Sequence, residues 1–185
     1  LKHPSIPTIS EVELGLQQFQ GICIGVTGTN GKSTTVNMIA KTLETLGHRA
    51  LGCGNIGLPV CSAITQDADI LVIELSSYQL HWAQSLKLTC GIITNFAPDH
   101  DDYHGSEAAY FLAKAKLKDF THGTLFVDSA LAEKFQGVSL ISDHSVESLG
   151  LNPLKSEDYN SCFAVKAIQE VTSHSQSAII DALNR

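Results

Sequence analysis

The residues whose types and spacing suit chemistry are concentrated in the segment GICIGVTGTNGKST, residues 21–34. Gly28 and Gly31 allow positive φ and a close backbone approach, so the amides of the turn and of a following helix N-terminus can point at phosphate oxygens. Lys32 would then reach the β- and γ-phosphates, and the Ser33 hydroxyl would ligate Mg2+. The pattern predicts an ATP-binding loop made of Gly28, Thr29, Asn30, Gly31, Lys32, Ser33 and Thr34.

The loop departs from the strict GxxxxGK[ST] pattern at one position. That pattern requires glycine where this chain has Val26. A glycine turn followed by a solvent-exposed Lys32 is therefore the alternative interpretation. The strand before the turn and the amphipathic helix after it favour the phosphate loop, because that motif needs both.

Polar residues also follow two later apolar runs. ADILVIE ends in Glu74, which would lie at the carboxyl edge of a parallel sheet and could hold a hard cation through oxygen. GIITNFAPDH brings Asn95, Asp99 and His100 to the same edge. A carboxylate at a strand end is often only solvated, and an isolated Asp-His pair is more often structural than catalytic.

A helix is predicted next, over SEAAYFLAKAKLKDF, with Ser106 as its N-cap. Tyr110, Lys114 and Leu117 lie at i, i+4 and i+7, so Lys114 shares a stripe with apolar neighbours. Such a lysine is less costly to neutralise, and a neutral amine can react with carbon dioxide. A lysine that extends its ammonium to solvent is the alternative, and Lys116 is a second candidate.

Short apolar runs alternate with helical patterns from Gly21 onward, which is typical of βαβ units in a parallel sheet. The predicted fold is a three-layer α/β fold with a mostly parallel sheet and phosphate-loop nucleotide-binding topology. Residues 1–20 are interpreted as a linker, residues 142–157 as a loop, and residues 159–172 and 175–184 as helices. The predicted strands are residues 22–27, 49–53, 70–74, 90–94, 125–128 and 138–141.

Composition limits the other function classes. A formal charge of −7 with 12 scattered Lys and Arg argues against nucleic-acid binding. Five cysteines lack disulfide-framework or zinc spacing, so we expect reduced thiols and a cytoplasmic location. The sequence has no apolar run of membrane-spanning length and no signal peptide, and we expect a monomer without membrane contact. The chain begins at Leu1, which suggests a piece of a longer protein.

Five segments together resemble the Mur ligases and the related folylpolyglutamate synthases. They are GVTGTNGKST, GCGNIGLP, ELSSYQL, the N-x-x-x-DH pattern of residues 95–100 and the Y-x-x-A-K pattern of residues 110–114. ELSSYQL is most similar to the branch that adds D-glutamate. The resemblance implies that residues 21–185 form the central ATP-binding domain of a three-domain ligase of peptidoglycan precursor synthesis. Such an enzyme joins D-glutamate to UDP-N-acetylmuramoyl-L-alanine through an acyl phosphate, using ATP and Mg2+.

The resemblance also implies roles for single residues. Ser33 and Glu74 would serve one Mg2+, and His100 with a carbamylated Lys114 would serve a second. Lys32, His100 and Lys114 would be the catalytic residues. Asn55, Ser76 and Gln79 would contact the muramoyl precursor.

The match weakens near the C-terminus. Glu157 and Asp158 stand where the family has His-Asn, and Ser161 stands where its adenine-contacting asparagine is usual. Two alternatives therefore stay open. One is a different Mur ligase or a folylpolyglutamate synthase, for which we expect another sequence at ELSSYQL. The other is a nucleotide-binding module that has lost catalysis.

Overall fold

A computed structural model describes residues 8–97 and 101–185 of the chain. The strands are β1 Ile22–Thr27, β2 Ala50–Gly54, β3 Ile70–Glu74, β4 Cys90–Ile93, β5 Leu125–Asp128 and β6 Ser139–Ile141. The helices are α1 Glu11–Leu16, α2 Lys32–Thr45, α3 Val60–Ala63, α4 Ser77–Trp82, α5 Asp101–His104, α6 Glu107–Ala115, α7 Leu117–Phe120, α8 Asp143–Glu147, α9 Ser156–Val171 and α10 Gln176–Leu183. A 3-10 helix spans Ser129–Lys134.

The six strands form one parallel sheet in the order β2-β3-β1-β4-β5-β6. Strand β1 lies between β3 and β4. The chain forms β2 and β3 on one side of β1, and then β4, β5 and β6 on the other side. The carboxyl ends of β1, β3 and β4 therefore meet at one edge, where ligands bind in open α/β sheets.

Helices cover both faces of the sheet, as the predicted three-layer α/β fold requires. Helices α2, α9 and α10 pack on one face through residues that include Ile39, Phe163 and Ile179. Helices α1, α3, α4 and α7 pack on the other through residues that include Val12, Val60 and Leu117. Alternate residues of the central strands enter the two cores, which is why these strands read as continuous apolar runs.

The sequence located the strands to within one residue at each end. It did not predict the short helices α1, α3, α4, α5 and α8 or the 3-10 helix Ser129–Lys134. The predicted loop 142–157 contains α8, whose Ser142 and Ser145 form a capping box, and α9 begins at Ser156, three residues earlier than predicted. Helix α1 lies within the segment interpreted as a linker, and its Val12 and Leu16 are buried, so the packed structure includes residues before Gly21.

Among the described residues, no helix has the length and apolar character needed to cross a membrane.

Candidate nucleotide and metal site

The loop between β1 and α2 lies at the switch point of the sheet. Gly28 has φ 147°, and a Cβ built there would lie 2.0 Å from the Thr94 hydroxyl. Gly31 has φ 81°, and a Cβ there would lie 2.7 Å from Oδ1 of Asn160. Both positions therefore require glycine for their backbone conformation and for the space around it.

The end of β4 supports the loop from one side. The backbone amide of Asn30 donates to Oδ1 of Asn95 at 2.9 Å, and Nδ2 of Asn95 donates to the carbonyl of Asn30 at 2.9 Å. The Thr29 amide donates to the carbonyl of Asn95 at 3.2 Å. The amides of Thr29 and Asn30, both predicted to face phosphate, are therefore used within the protein in this structure.

The helix that follows keeps its first amides available. Gly31 is the N-cap of α2, and no side chain caps this end. The first amides of an α-helix lack intrahelical acceptors and carry the positive end of the helix dipole. Lys32, Ser33 and Thr34 begin the helix, so their backbone amides form an anion-binding surface.

Two lysine side chains converge on one carbonyl of the loop. Nζ of Lys32 donates to the carbonyl of Gly28 at 3.0 Å and to that of Thr29 at 2.9 Å. Nζ of Lys114 donates to the same Gly28 carbonyl at 2.7 Å. The side chains are 82 residues apart in sequence, yet both bring positive charge to the loop. This arrangement suits a polyanion such as a triphosphate.

Lys114 is only 3% exposed. Its Nζ lies 4.6 Å from the centroid of the Tyr110 ring, and the Tyr110 hydroxyl lies 3.3 Å from that of Thr29. The predicted stripe is confirmed across α6 and α7, because Tyr110, Lys114 and Leu117 are all buried. The backbone carbonyl and the aromatic ring are both partners for a charged ammonium.

A carboxylate on β3 faces the start of α2. The Ser33 hydroxyl donates to Oε2 of Glu74 at 2.6 Å, and Nδ2 of Asn55 donates to Oε1 at 2.9 Å. Glu74 is buried, so both oxygens are held in fixed positions. A hydroxyl and a carboxylate side by side are the oxygen donors that Mg2+ prefers, and these residues fit such an ion.

Protein ligands for a metal are few. In residues 8–97 and 101–185, no group of three or more His, Cys, Asp and Glu side chains could hold a metal ion. A Mg2+ at Ser33 and Glu74 would thus complete its coordination with phosphate oxygens and water, as Mg2+ commonly does. Asp99 and His100, predicted for the same edge, lie outside the described residues.

A small cavity of about 130 Å3 adjoins both lysines. Its lining residues are Thr29, Lys32, Asn55, Ser76, Ser77, Tyr78, Tyr110 and Lys114. Two of the predicted substrate residues, Asn55 and Ser76, are among them. Ser76 and Gln79 also form the capping box of α4, in which the Ser76 amide donates to Oε1 of Gln79 at 2.9 Å. The capping of α4 therefore explains the position of both residues, whether or not they contact a substrate.

A second cavity of about 430 Å3 opens from the other side of the loop and is lined by residues that include Gly31, Thr34, Asp128 and Asn160. Burial raises the pKa of Asp128, and the nearby Asp143 raises it further. Asn160 was not among the predicted site residues, and its Oδ1 accepts a hydrogen bond from the Thr35 hydroxyl at 3.3 Å. Its place beside the loop depends on which side of α9 faces α2, and local sequence patterns do not show this.

Ser161, the position compared with the family's adenine contact, points elsewhere. Its hydroxyl donates to the carbonyl of Glu157 at 3.0 Å and lies 3.9 Å from Sδ of Met38. Glu157 and Tyr159 line the second cavity.

The comparison with known families agrees with this geometry. A family model described as the Mur ligase middle domain matches residues 26–179. The chain belongs to the Mur ligase middle-domain family. The match to the Mur ligase middle domain includes the loop, Glu74, Lys114 and all of α9.

Two curated relatives each match more than half of this chain. The UDP-N-acetylmuramoylalanine--D-glutamate ligase of Mycolicibacterium smegmatis is 48% identical over 107 residues, which cover 58% of this chain and 22% of the relative. The ligase of the same name from Thermobifida fusca is 43% identical over 131 residues, 68% of this chain and 28% of the relative. The matched part of the chain thus spans about a quarter of these relatives.

Solved structures share the fold of the Mur ligase middle domain at low identity. A UDP-N-acetylmuramoyl-L-alanyl-D-glutamate--2,6-diaminopimelate ligase superposes with a TM-score of 0.67 and 17% identity, covering 94% of this chain and 50% of that chain. Escherichia coli FolC in complex with DHPP and ADP gives a TM-score of 0.62 and 16% identity, covering 98% and 62%. This likeness concerns the fold.

Proposed function

We propose that this chain is the ATP-binding part of an ATP-dependent ligase that adds D-glutamate to UDP-N-acetylmuramoylalanine. The observation that carries the proposal is the convergence of Lys32 and Lys114 on the Gly28 carbonyl beside the Ser33–Glu74 pair. This arrangement combines positive charge, helix amides and a carboxylate around one loop. It suits phosphoryl transfer from ATP, which depends mainly on positioning and charge neutralisation.

The reaction needs no covalent bond to the protein. The carboxylate of the precursor attacks the γ-phosphorus of ATP, and ADP leaves. The amine of D-glutamate then attacks the acyl phosphate, inorganic phosphate leaves, and one proton is lost from the amine. Lys32 and the first amides of α2 would hold the phosphates in line for the first step.

Mg2+ held by Ser33 and Glu74 would neutralise charge on the transferred phosphoryl group. Carbamylation of Lys114 and a metal-binding role for His100 belong to the same proposal. For Lys114, the support is its burial beside the phosphate loop, because burial disfavours the charged ammonium and only the neutral amine reacts with carbon dioxide. For His100, the support is its place in the chain, seven residues after the end of β4.

The choice of D-glutamate rests on the curated relatives at 43–55% identity, all of which carry that substrate in their names. We further propose that this chain works as the central domain of three, with residues 1–20 linking it to a preceding one. The precursor and amino acid would then be bound partly by the other domains. We expect the chain alone to bind nucleotide weakly and to turn over none.

Release of inorganic phosphate from ATP by the complete three-domain protein tests this proposal. The assay contains UDP-N-acetylmuramoylalanine and, one at a time, D-glutamate, L-glutamate, L-lysine and meso-diaminopimelate. We expect release above the ATP-only rate with D-glutamate alone. Release with a different amino acid would make the protein another member of the family, and release with none would indicate a module without catalysis.

A further inference from the structure

Two histidine side chains meet near the end of α2 and the start of α10. His48 follows Gly47 in the turn between α2 and β2, and His174 lies between α9 and α10. Nε2 of His48 lies 3.0 Å from Nε2 of His174, and the two ring planes are 86° apart. Side chains 126 positions apart thus bring two imidazole nitrogens together. Imidazole nitrogen is the commonest protein ligand of transition-metal ions.

The backbone around both histidines is ordered by hydrogen bonds. The amide of His48 donates to the carbonyl of Leu43 at 2.9 Å, which closes the turn after α2. The amide of His174 donates to the Thr172 hydroxyl at 3.4 Å, and that hydroxyl donates to the carbonyl of Ile168 at 2.8 Å. Both histidines are partly buried. Since the two segments are already ordered, a ligand that joins the rings would cost little further conformational entropy.

Both rings can offer a lone pair from Nε2 while each remains neutral. In the contact between them, one Nε2 carries a proton and donates it to the other. Hydrogen bonds among the described residues do not involve Nδ1 of His48 or of His174. The proton can therefore pass through solvent to Nδ1 of its own ring, which leaves a lone pair on each Nε2. The rings, whose centroids are 5.2 Å apart, would then turn so that both lone pairs face one point.

The distance between the two nitrogens favours one kind of metal ion. With metal–nitrogen bonds of about 2.0–2.1 Å, two nitrogens 3.0 Å apart subtend an angle of about 90–100° at the ion. This angle suits the square-planar and tetragonal coordination of Ni2+ and Cu2+. Tetrahedral Zn2+ requires about 109°, so the nitrogens would have to move apart to bind it. The pair is therefore better suited to Ni2+ or Cu2+ than to Zn2+.

The charged side chains near His48 also favour a cation. Arg49 forms ion pairs with Asp67 and Asp69, so these three side chains together carry one net negative charge. Hydrogen bonds from Arg49 hold the pKa of Asp69 below its ordinary value, and a positive charge on His48 contributes to the same shift. Asp69 therefore attracts positive charge at the His48 ring. Because both aspartates are exposed, solvent weakens this attraction.

We propose that His48 and His174 bind a divalent transition-metal ion through their two Nε2 atoms, with water completing its coordination. Two protein ligands are consistent with the described residues, in which no larger group of metal-binding side chains occurs. Helix α2 has 14 residues and rises about 1.5 Å per residue, so this pair lies about 20 Å from the phosphate loop. The site is thus separate from the Mg2+ proposed at Ser33 and Glu74, and it does not depend on the proposed function.

Isothermal titration calorimetry of the metal-free 185-residue chain with Ni2+ tests the site. Ni2+ is the probe because Cu2+ also oxidises cysteine thiols, of which the chain has five. We expect one saturable Ni2+ site, weaker binding of Zn2+ and no competition from Mg2+, which prefers oxygen ligands. His48→Gln and His174→Gln should each weaken Ni2+ binding by about tenfold or more, since even the loss of a second-shell partner costs that much. His122→Gln removes an exposed histidine elsewhere and should have no effect.

A second measurement needs no variant. In NMR spectra of the unchanged protein, Ni2+ should shift or broaden the imidazole signals of His48 and His174 before those of the other histidines. Ni2+ affinity that stays the same in both glutamine variants would overturn the proposal. So would a loss of Ni2+ binding only in His81→Gln, because the His81 ring lies 5.8 Å from that of His104 and the ion would then belong to that pair.

Discussion

The hydroxyl of Ser33 donates to Oε2 of Glu74 across 2.6 Å, joining the first turn of α2 to the end of β3. The two residues are 41 positions apart, and the parallel pairing of β1 with β3 brings them together. A hydroxyl that donates to a carboxylate can instead turn a lone pair toward a cation. In the proposed mechanism, this pair would carry the Mg2+ dependence of nucleotide binding.

We expect Glu74→Gln to lower the Mg2+-dependent part of ATP affinity by about tenfold or more, because it removes a charge that would lie next to the ion. Binding of a fluorescent ATP analogue in Mg2+ and in EDTA measures this part separately. Glu44→Gln changes an exposed carboxylate on α2 and serves as the control. Equal Mg2+ dependence in both variants would exclude Glu74 from the metal site.

Lys32→Ala should weaken ATP binding by about 30-fold or more, since it removes a cation from a site built for a polyanion. Lys41→Ala removes an exposed lysine from the same helix and should leave affinity unchanged. Isothermal titration calorimetry with the two variants compares them directly. If Lys32→Ala bound ATP as the unchanged protein does, residues 28–34 would be an ordinary glycine turn.

Gly28→Ala should destabilise the domain by about 2 kcal/mol or more, because the new Cβ would meet the Thr94 hydroxyl at a backbone conformation that favours glycine. Gly150 also has a positive φ, 75° against 147° at Gly28, but a Cβ there meets nothing within 4 Å. Urea unfolding should show a clearly smaller loss for Gly150→Ala. Equal losses would mean that the contact with Thr94 contributes nothing.

Much of this site could be predicted because the sequence patterns that indicate it lie within short segments of the chain. The glycine spacing of residues 28–31 and the apolar strand before it indicated the loop, and the i, i+4, i+7 stripe indicated burial of Lys114. The contacts between distant segments could not be predicted, since Asn55 with Glu74 and Asn30 with Asn95 depend on strand order and register. Helices α1 and α8 were missed because six and five residues are too short to establish a helical period.

Carbamylation of Lys114 can be observed without an activity assay. In 13C-bicarbonate, NMR should show one carbamate signal that Lys114→Ala loses and Lys116→Ala retains. The signal should grow with pH because only the neutral amine reacts with carbon dioxide. A signal that disappears in Lys116→Ala instead would move the modification to that residue, and no signal in the unchanged protein would remove it from the proposed mechanism.

Glu13 gives the domain a predictable acid sensitivity. Its carboxylate is 2% exposed, and its Oε1 accepts from the amides of Ser85 at 2.6 Å and Gln84 at 2.9 Å. Burial by itself raises the pKa of Glu13, but the hydrogen bonds from Ser85, Gln84 and Ser10 outweigh burial and hold the pKa below its ordinary value. The charged form therefore fastens α1 to the segment between α4 and β4.

A folded-state pKa below the unfolded one means that this contribution is complete above the unfolded value of about 4.3 and is lost as the pH falls through the folded pKa. At neutral pH, Glu13→Gln should cost about 1–3 kcal/mol, the range for hydrogen bonds to a charged group. Urea midpoints of the two proteins should differ at neutral pH and converge in acid. Glu44→Gln should show no such convergence, and a Glu13→Gln difference that stayed constant with pH would mean that the contacts do not depend on the charge.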